Sequence, residues 1–200
     1  MNKKGKIIMF LSSYSPLYIL IITFNYNLDE MRNSILALRN YHNITPKDIF
    51  LYILIILIVL TNIFLKIILD NSKKYTETIK IKSISNGDEK ILDYILAYIV
   101  TFMTTNYIDL NSADSNILIT GVLIQVLLGY LYCRGNMLYI NPVLNILYKY
   151  HIFIATTDRK DIIILSKKEE KIYNLKKELI GNEKKSIKLN YFSKDIYILD

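Results

Sequence analysis

The chain has 200 residues, 52% of them hydrophobic, a net charge of +7 and a mean hydropathy of +0.25. So apolar a composition excludes a disordered chain; one cysteine, Cys133, excludes a disulfide framework, and two histidines, His42 and His151, leave little material for a Cys/His metal centre. The charged fraction is 22%, close to the roughly 25% of soluble domains, so a positive mean hydropathy requires that charge and apolar residues occupy different parts of the chain.

The first apolar stretch is Ile7–Phe24, uncharged, preceded by Lys3, Lys4 and Lys6. It ends Thr23-Phe24-Asn25-Tyr26 with no small-x-small cleavage site, so it is expected to be a retained anchor and not a signal peptide. Ser12, Ser13, Ser15 and Pro16 sit at its middle, and Pro16 is expected to kink it.

The segment Asp29–Arg39 follows. Met31, Ile35 and Leu38 share one helical face, acids occupy its first turn and Arg39 its last, as the helix dipole favours. It is expected to be an amphipathic helix lying on the outer membrane surface. Thr45 and Pro46 then suit the N-cap and first position of the next helix.

The second stretch, Ile49–Leu69, holds one charge, Lys66, near its end. The third, Ile91–Ile108, holds Asp93 near its start, and the fourth, Ile117–Cys133, is uncharged. A spanning helix needs roughly 20 apolar residues. Four such runs with almost no polar face predict four transmembrane helices, over about 7–24, 49–69, 91–108 and 117–133.

The loops set the orientation. The N-terminus and the loop between the second and third stretches carry eight lysines, against three basic residues on the other side. The excess places both termini in the cytoplasm of a multi-pass protein of the cell membrane.

Gly121, Gln125, Gly129 and Cys133 are spaced by four, and Asp93, Ala97, Thr101 and Thr105 form a comparable stripe. Small residues let helices approach closely, so these stripes are candidate surfaces for packing within a bundle or between subunits. No charge pair lies deep in the apolar stretches, which argues against a carrier. A pore lined by Ser, Thr, Asn and Gln stays open as an alternative.

After Arg134 the pattern changes. Asn141-Pro142 can cap a short helix. Tyr148–Thr156 and Asp161–Ser166 read as strands, Lys168–Leu179 as an amphipathic helix, and Ser186–Phe192 and Asp195–Leu199 as closing strands. Thr78–Ile84 of the inner loop alternates with period two. The expected organisation is a membrane domain over residues 1–136 and a cytoplasmic, β-rich α+β domain over 137–200, joined by the inner loop 73–90; a domain of that size is marginal alone, and the inner-loop strand can complete its core. The tail carries twelve basic and eight acidic residues, a mixture suited to anionic lipid heads. Direct nucleic-acid contact is not expected, because no binding motif is present and lysines alternate with acids. There is no P-loop, dinucleotide fingerprint, metal cluster or nucleophile elbow, so neither catalysis nor a cofactor is expected.

Three segments carry a resemblance: SYSPLYIL at Ser13–Leu20, ISNGDEKILDYILAYIVTF at Ile84–Phe102 and YINPVLNILYKYHIF at Tyr139–Phe153. Together they resemble KwaA, the membrane component of the Kiwa anti-phage defence system. The resemblance implies a four-span inner-membrane homo-oligomer, with a tetramer as the candidate state, that senses phage attachment or envelope perturbation. It implies a partner, the DNA-binding effector KwaB, on the cytoplasmic side. On that view Pro16, Met31, Ile35 and Leu38 are sensing candidates, and Asn141, Pro142, Tyr148 and Tyr150 are candidates for docking the partner. The alternative is a small oligomeric pore-forming or membrane-disrupting protein.

Overall fold

A computed structural model describes residues 1–40, 44–72, 76–104, 115–181 and 184–199; the side chains of residues 39–40, 97–104, 115–122, 124–125 and 181 are outside that description. The structure is mainly helical, with one six-stranded sheet.

The first apolar stretch forms two helices, α1 (Lys3–Ser13) and α2 (Ser15–Asn25), bent by 40°. The cause is local. Pro16 in the first turn of α2 has no N–H to continue the ladder of α1. Ser12 and Ser13 donate their hydroxyls to the carbonyls of Met9 and Phe10, a back-bonding that favours bending. The kink expected at Pro16 is present.

Helix α3 (Leu28–Asn40) opens with a capping box: Asn27 accepts from Glu30 N, and Glu30 accepts from Asn27 N. Helix α4 (Pro46–Ser72) has 27 residues, a length of about 40 Å at the usual helical rise. Thr45 caps it, and Asp48 returns the bond to Thr45 N. Helices α5 (Glu89–Thr104) and α6 (Ser115–Arg134) follow, then a 3-10 turn at Met137–Tyr139 and the short α7 (Pro142–Ile146).

Among the described residues, α4 alone is by itself long and apolar enough to cross a membrane; α1 and α2 pass the same test if the bent pair counts as one span. The expectation of four spans is therefore not supported at that number. The physical reason for the first shortfall is the break at Tyr14, which divides one apolar run into two helices of 11 residues each. The expected third span overlaps α5, with its residues 105–108 outside the described residues, and the fourth lies within α6; many side chains of both helices are also outside them.

The remaining elements are strands β1 (Thr76–Ile81), β2 (Ser83–Asn86), β3 (His151–Thr156), β4 (Asp161–Ser166), β5 (Lys185–Ser193) and β6 (Ile196–Leu199), with α8 (Glu169–Gly181) between β4 and β5. Their order across the sheet is β1-β5-β6-β4-β3-β2. The two outermost strands, β1 and β2, are consecutive in the chain and separated by Lys82 alone. Thr76–Asn86 is thus one strand, kinked at Lys82, that pairs with β5 before the kink and with β3 after it. The sheet closes on itself into a five-stranded ring. Strand β4 runs parallel to β6 and the other pairings are antiparallel. Numbered from that kinked strand, the order is 1-2-3-5-4 with a helix after the third strand, the Greek-key topology of the OB-fold barrel. Helices α5, α6 and α7 are an insertion between its first and second strands.

Alternation fills the ring. Ile81, Phe153, Ala155, Ile162, Ile164, Ile187, Leu189, Tyr197 and Leu199 form its buried core, and Ile172 of α8 plugs it. The opposite face, with Ile152, Leu165, Phe192, Ile196 and Ile198, belongs instead to the core of the helical body, beside Leu138, Val143, Leu144 and Tyr150. The barrel and the helices therefore share one continuous apolar contact.

At the kink, Lys82 N–H donates to the Thr156 carbonyl, and the Lys82 and Lys184 ammonium groups both bind the Asp158 carboxylate. Those bonds, Lys82 first, hold the Asp158 carboxyl down at about 2. A carboxyl depressed in the folded state stabilises above its unfolded pKa, and that contribution is lost as pH falls from about 4 through about 2. All three groups are largely solvent-accessible, so the effect is small. Asp158→Asn is expected to lower the thermal midpoint slightly at pH 7, with the difference from the parent vanishing near pH 2; a difference independent of pH would contradict the pairing.

Candidate functional site

The joint between α1 and α2 lies inside the protein and is polar. Ser12, Ser13, Tyr14 and Ser15 are buried there. Three other elements reach it. From α4, the Asn62 amide donates to Ser15 Oγ at 3.1 Å and to its own Ile58 carbonyl at 2.6 Å. From α5, the Tyr94 hydroxyl lies 3.0 Å from Ser13 Oγ. From the head of α7, the fully buried Asn141 donates through Nδ2 to Ser12 Oγ at 2.8 Å and to the Met9 carbonyl at 3.2 Å. Its Oδ1 accepts from Val143 N at 2.9 Å and so caps α7.

Aromatic rings wall the seam. Phe10 and Tyr14 meet edge-on at 4.8 Å, and Phe10 and Tyr132 are 5.4 Å apart. Two buried polar atoms, Asn62 Oδ1 and the Tyr132 hydroxyl, have no hydrogen-bond partner among the described residues. Each costs free energy while it stays unpaired. Such a seam fixes helix register through hydrogen bonds between hydroxyl, amide and carbonyl groups, none of them from Asp, Glu, Lys, Arg or His. Among the described residues no group of three or more His, Cys, Asp or Glu can hold a metal ion.

The seam connects to the barrel at two points. The Tyr148 hydroxyl, just after α7, donates to the Asn62 carbonyl at 3.2 Å. At the start of α5, Asp88 accepts from Ile152 N at 2.7 Å and lies 3.0 Å from His151 Nδ1, while Gly87 N donates to the Ile152 carbonyl. His151 Nε2 in turn meets Glu169 at 3.2 Å, which ties β3 to the first turn of α8. Here His151 is a linker between elements.

The residues singled out from the sequence divide as follows. Pro16 lies in the joint. Met31 packs against the helical core, whereas Ile35 and Leu38 are exposed. Gly129 faces inward: a Cβ there would come within 2.8 Å of the Phe10 ring, so the glycine is spent on the close approach of α6 to α1 within one chain. Gly121 and Gln125 on α6, and Ala97 and Thr101 on α5, have side chains outside the described residues. The docking candidates turn out to be occupied. Asn141, Pro142 and Tyr150 are buried, and half-buried Tyr148 is bonded to α4, so their side chains face the chain's own helices. The proline and apolar run that made this segment conspicuous serve the joint. Asn62 and Tyr94 are not among the residues singled out from the sequence, although an asparagine amid an otherwise apolar helix is a signal for the first.

OB-type barrels take oligonucleotides or oligosaccharides on the face of their second and third strands. In this chain Ile152 and Leu165 of those strands are buried within the helical core, so that part of the face is covered.

These features define a mainly helical protein with one long apolar helix of membrane-spanning dimensions, a bent companion and a C-terminal barrel. A family model described as anti-phage protein KwaA matches residues 5–198, nearly the whole chain. The chain belongs to the KwaA family and so has a role in anti-phage defence. No curated protein and no solved structure gives a significant match.

Proposed function

We propose that the chain is the sensor and scaffold subunit of a membrane-bound anti-phage complex. It detects phage attachment or perturbation of the cell membrane and passes the event to a cytoplasmic DNA-binding effector of the KwaB type. In this reading the protein crosses the membrane four times, keeps both termini inside, assembles with copies of itself and catalyses no reaction. The observation that carries it is the placement of the two ends of α4. Its N-terminal end holds α3, its C-terminal end runs into the first strand of the barrel, and the polar joint grips it midway at Asn62. A displacement at the outer end thereby has a continuous path to the barrel. The free barrel surface is where the effector docks, and not the buried side chains of Asn141, Pro142 and Tyr150.

Co-expression of the full chain with a DNA-binding effector of the KwaB type tests this. The effector is expected to co-purify with the detergent-extracted chain, and liposomes carrying the chain alone are expected to show no ion flux. Conductance by the chain alone together with loss of the effector on purification would replace this reading by the pore-forming one.

A further inference from the structure

Helix α3 turns Glu30 and Ser34 toward the protein, beside partly buried Met31. Its exposed side carries leucine and isoleucine together with Asp29, Arg32 and Asn33. Ser34 is buried and donates to the Asp48 carboxylate, the Tyr52 hydroxyl donates to the Ser34 carbonyl, and Glu30 pairs with Lys47 at 2.7 Å. Tyr26 adds a bond from its hydroxyl to the Lys47 carbonyl at 2.6 Å. The partners Lys47, Asp48 and Tyr52 all belong to the first two turns of α4. Leu28, Ile35, Leu36 and Leu38 are meanwhile exposed, Leu28 at 84% and Ile35 at 57%. Arg32 is exposed on the same helix, a guanidinium among leucines.

Burying polar groups and presenting isoleucine and leucine to water is unfavourable, by about 25 cal/mol for each Å² of apolar surface left wet. The arrangement is favourable if the outer surface is not water. Along α4 the exposed apolar surface begins with Ile49 and Ile53, at the level where α3 is attached. We infer that α3 is an interfacial lever: its Leu28–Ile35–Leu36–Leu38 face docks into the lipid surface on the side of the membrane away from the barrel, with Arg32 at the anionic headgroups, and its inward side transmits tilt to α4 through Glu30 and Ser34. This deepens the proposed function and rests on α4 crossing the membrane. An apolar helix face flanked by arginine is the chemistry of an interfacial helix, which reads lipid packing and anionic charge.

The chain contains no tryptophan, so a single introduced one reports its own surroundings. Full-length Leu28→Trp, Ile35→Trp and Asn33→Trp are to be reconstituted into phosphatidylcholine vesicles with about one-fifth phosphatidylglycerol, with and without brominated acyl chains. Asn33 is exposed and lies on a different side of the helix from Leu28 and Ile35. Tryptophan at 28 and 35 is expected to emit in the blue and to be quenched at least about twofold more than at 33. Blue emission without quenching places the face against a second copy or another protein, and red unquenched emission places it in water; either result overturns the proposal. Carbonate extraction separates this from failure of the parent reading: a chain stripped from the vesicles does not span, whereas a retained chain with unquenched tryptophans spans but does not dock α3.

Discussion

Asn141→Asp is expected to destabilise the protein by about 3 kcal/mol or more, exceeding the cost of Asn141→Ala. The exchange keeps the size of the side chain and the acceptor that caps α7. It removes both donors, to Ser12 Oγ and to the Met9 carbonyl, and sets a carboxylate oxygen against that carbonyl in a fully buried position. A buried acceptor facing an acceptor has neither water nor protein to satisfy it. Alanine loses the cap, worth about 1 kcal/mol, and leaves neutral groups unpaired. Denaturant unfolding in a mild detergent, followed by circular dichroism, gives the order. If alanine costs as much as aspartate or more, Asn141 matters only as a helix cap, and its link to the α1–α2 joint carries no energy.

Ile81→Ala is expected to cost about 2–5 kcal/mol, as much as Ile164→Ala at the centre of β4. Both side chains are fully buried in the barrel core, although 83 positions separate them in the sequence. The equality is informative because Ile81 belongs to a segment between two helices, where a connecting loop would tolerate alanine almost without effect. The same denaturation measurement on the two variants decides it. A neutral Ile81→Ala beside a damaging Ile164→Ala would mean that the strand through Lys82 does not close the ring.

The helical part was legible in the sequence because a long apolar run is a local property. Ile49–Leu69 lies wholly within α4, and the N-cap at Thr45 and the proline at position 46 were readable from residue type alone. The β-rich tail was legible for the same reason: the short apolar run Asp161–Ser166 and the alternation in Ser186–Phe192 mark strands locally. Even the inner-loop strand showed its period of two. What alternation does not encode is the partner. Nothing in Thr76–Asn86 says that its first half pairs with β5 and its second half with β3, since pairing is chosen by the whole sheet.

The seam was legible only in pieces. Ser12, Ser13, Ser15 and Pro16 marked a break in an apolar run, but Asn62, Tyr94 and Asn141 stand 47 or more positions from the serines they bond, and only tertiary folding brings them to the joint. Asn141 and Tyr150 looked available because polar and aromatic residues after a helix usually are; Asn141 is instead bonded to α1 and Tyr150 is buried in the helical core. The Gly129 stripe shows the same limit, since small residues announce a close approach without naming the neighbour, here Phe10.

The opening contrast of +7 with a mean hydropathy of +0.25 is explained by segregation along the chain, and that much the sequence determined by itself, because hydropathy is carried residue by residue. It determined equally that α4 is a helix of membrane-spanning length and that the tail is a sheet. Only the tertiary structure decided that the sheet is a ring closed through Lys82, that the bend in the first apolar run is enclosed in a polar seam, and that α3 turns Glu30 and Ser34 toward α4. Those three features depend on hydrogen bonds between groups distant in sequence, and such bonds form only where packing removes water from both partners at once.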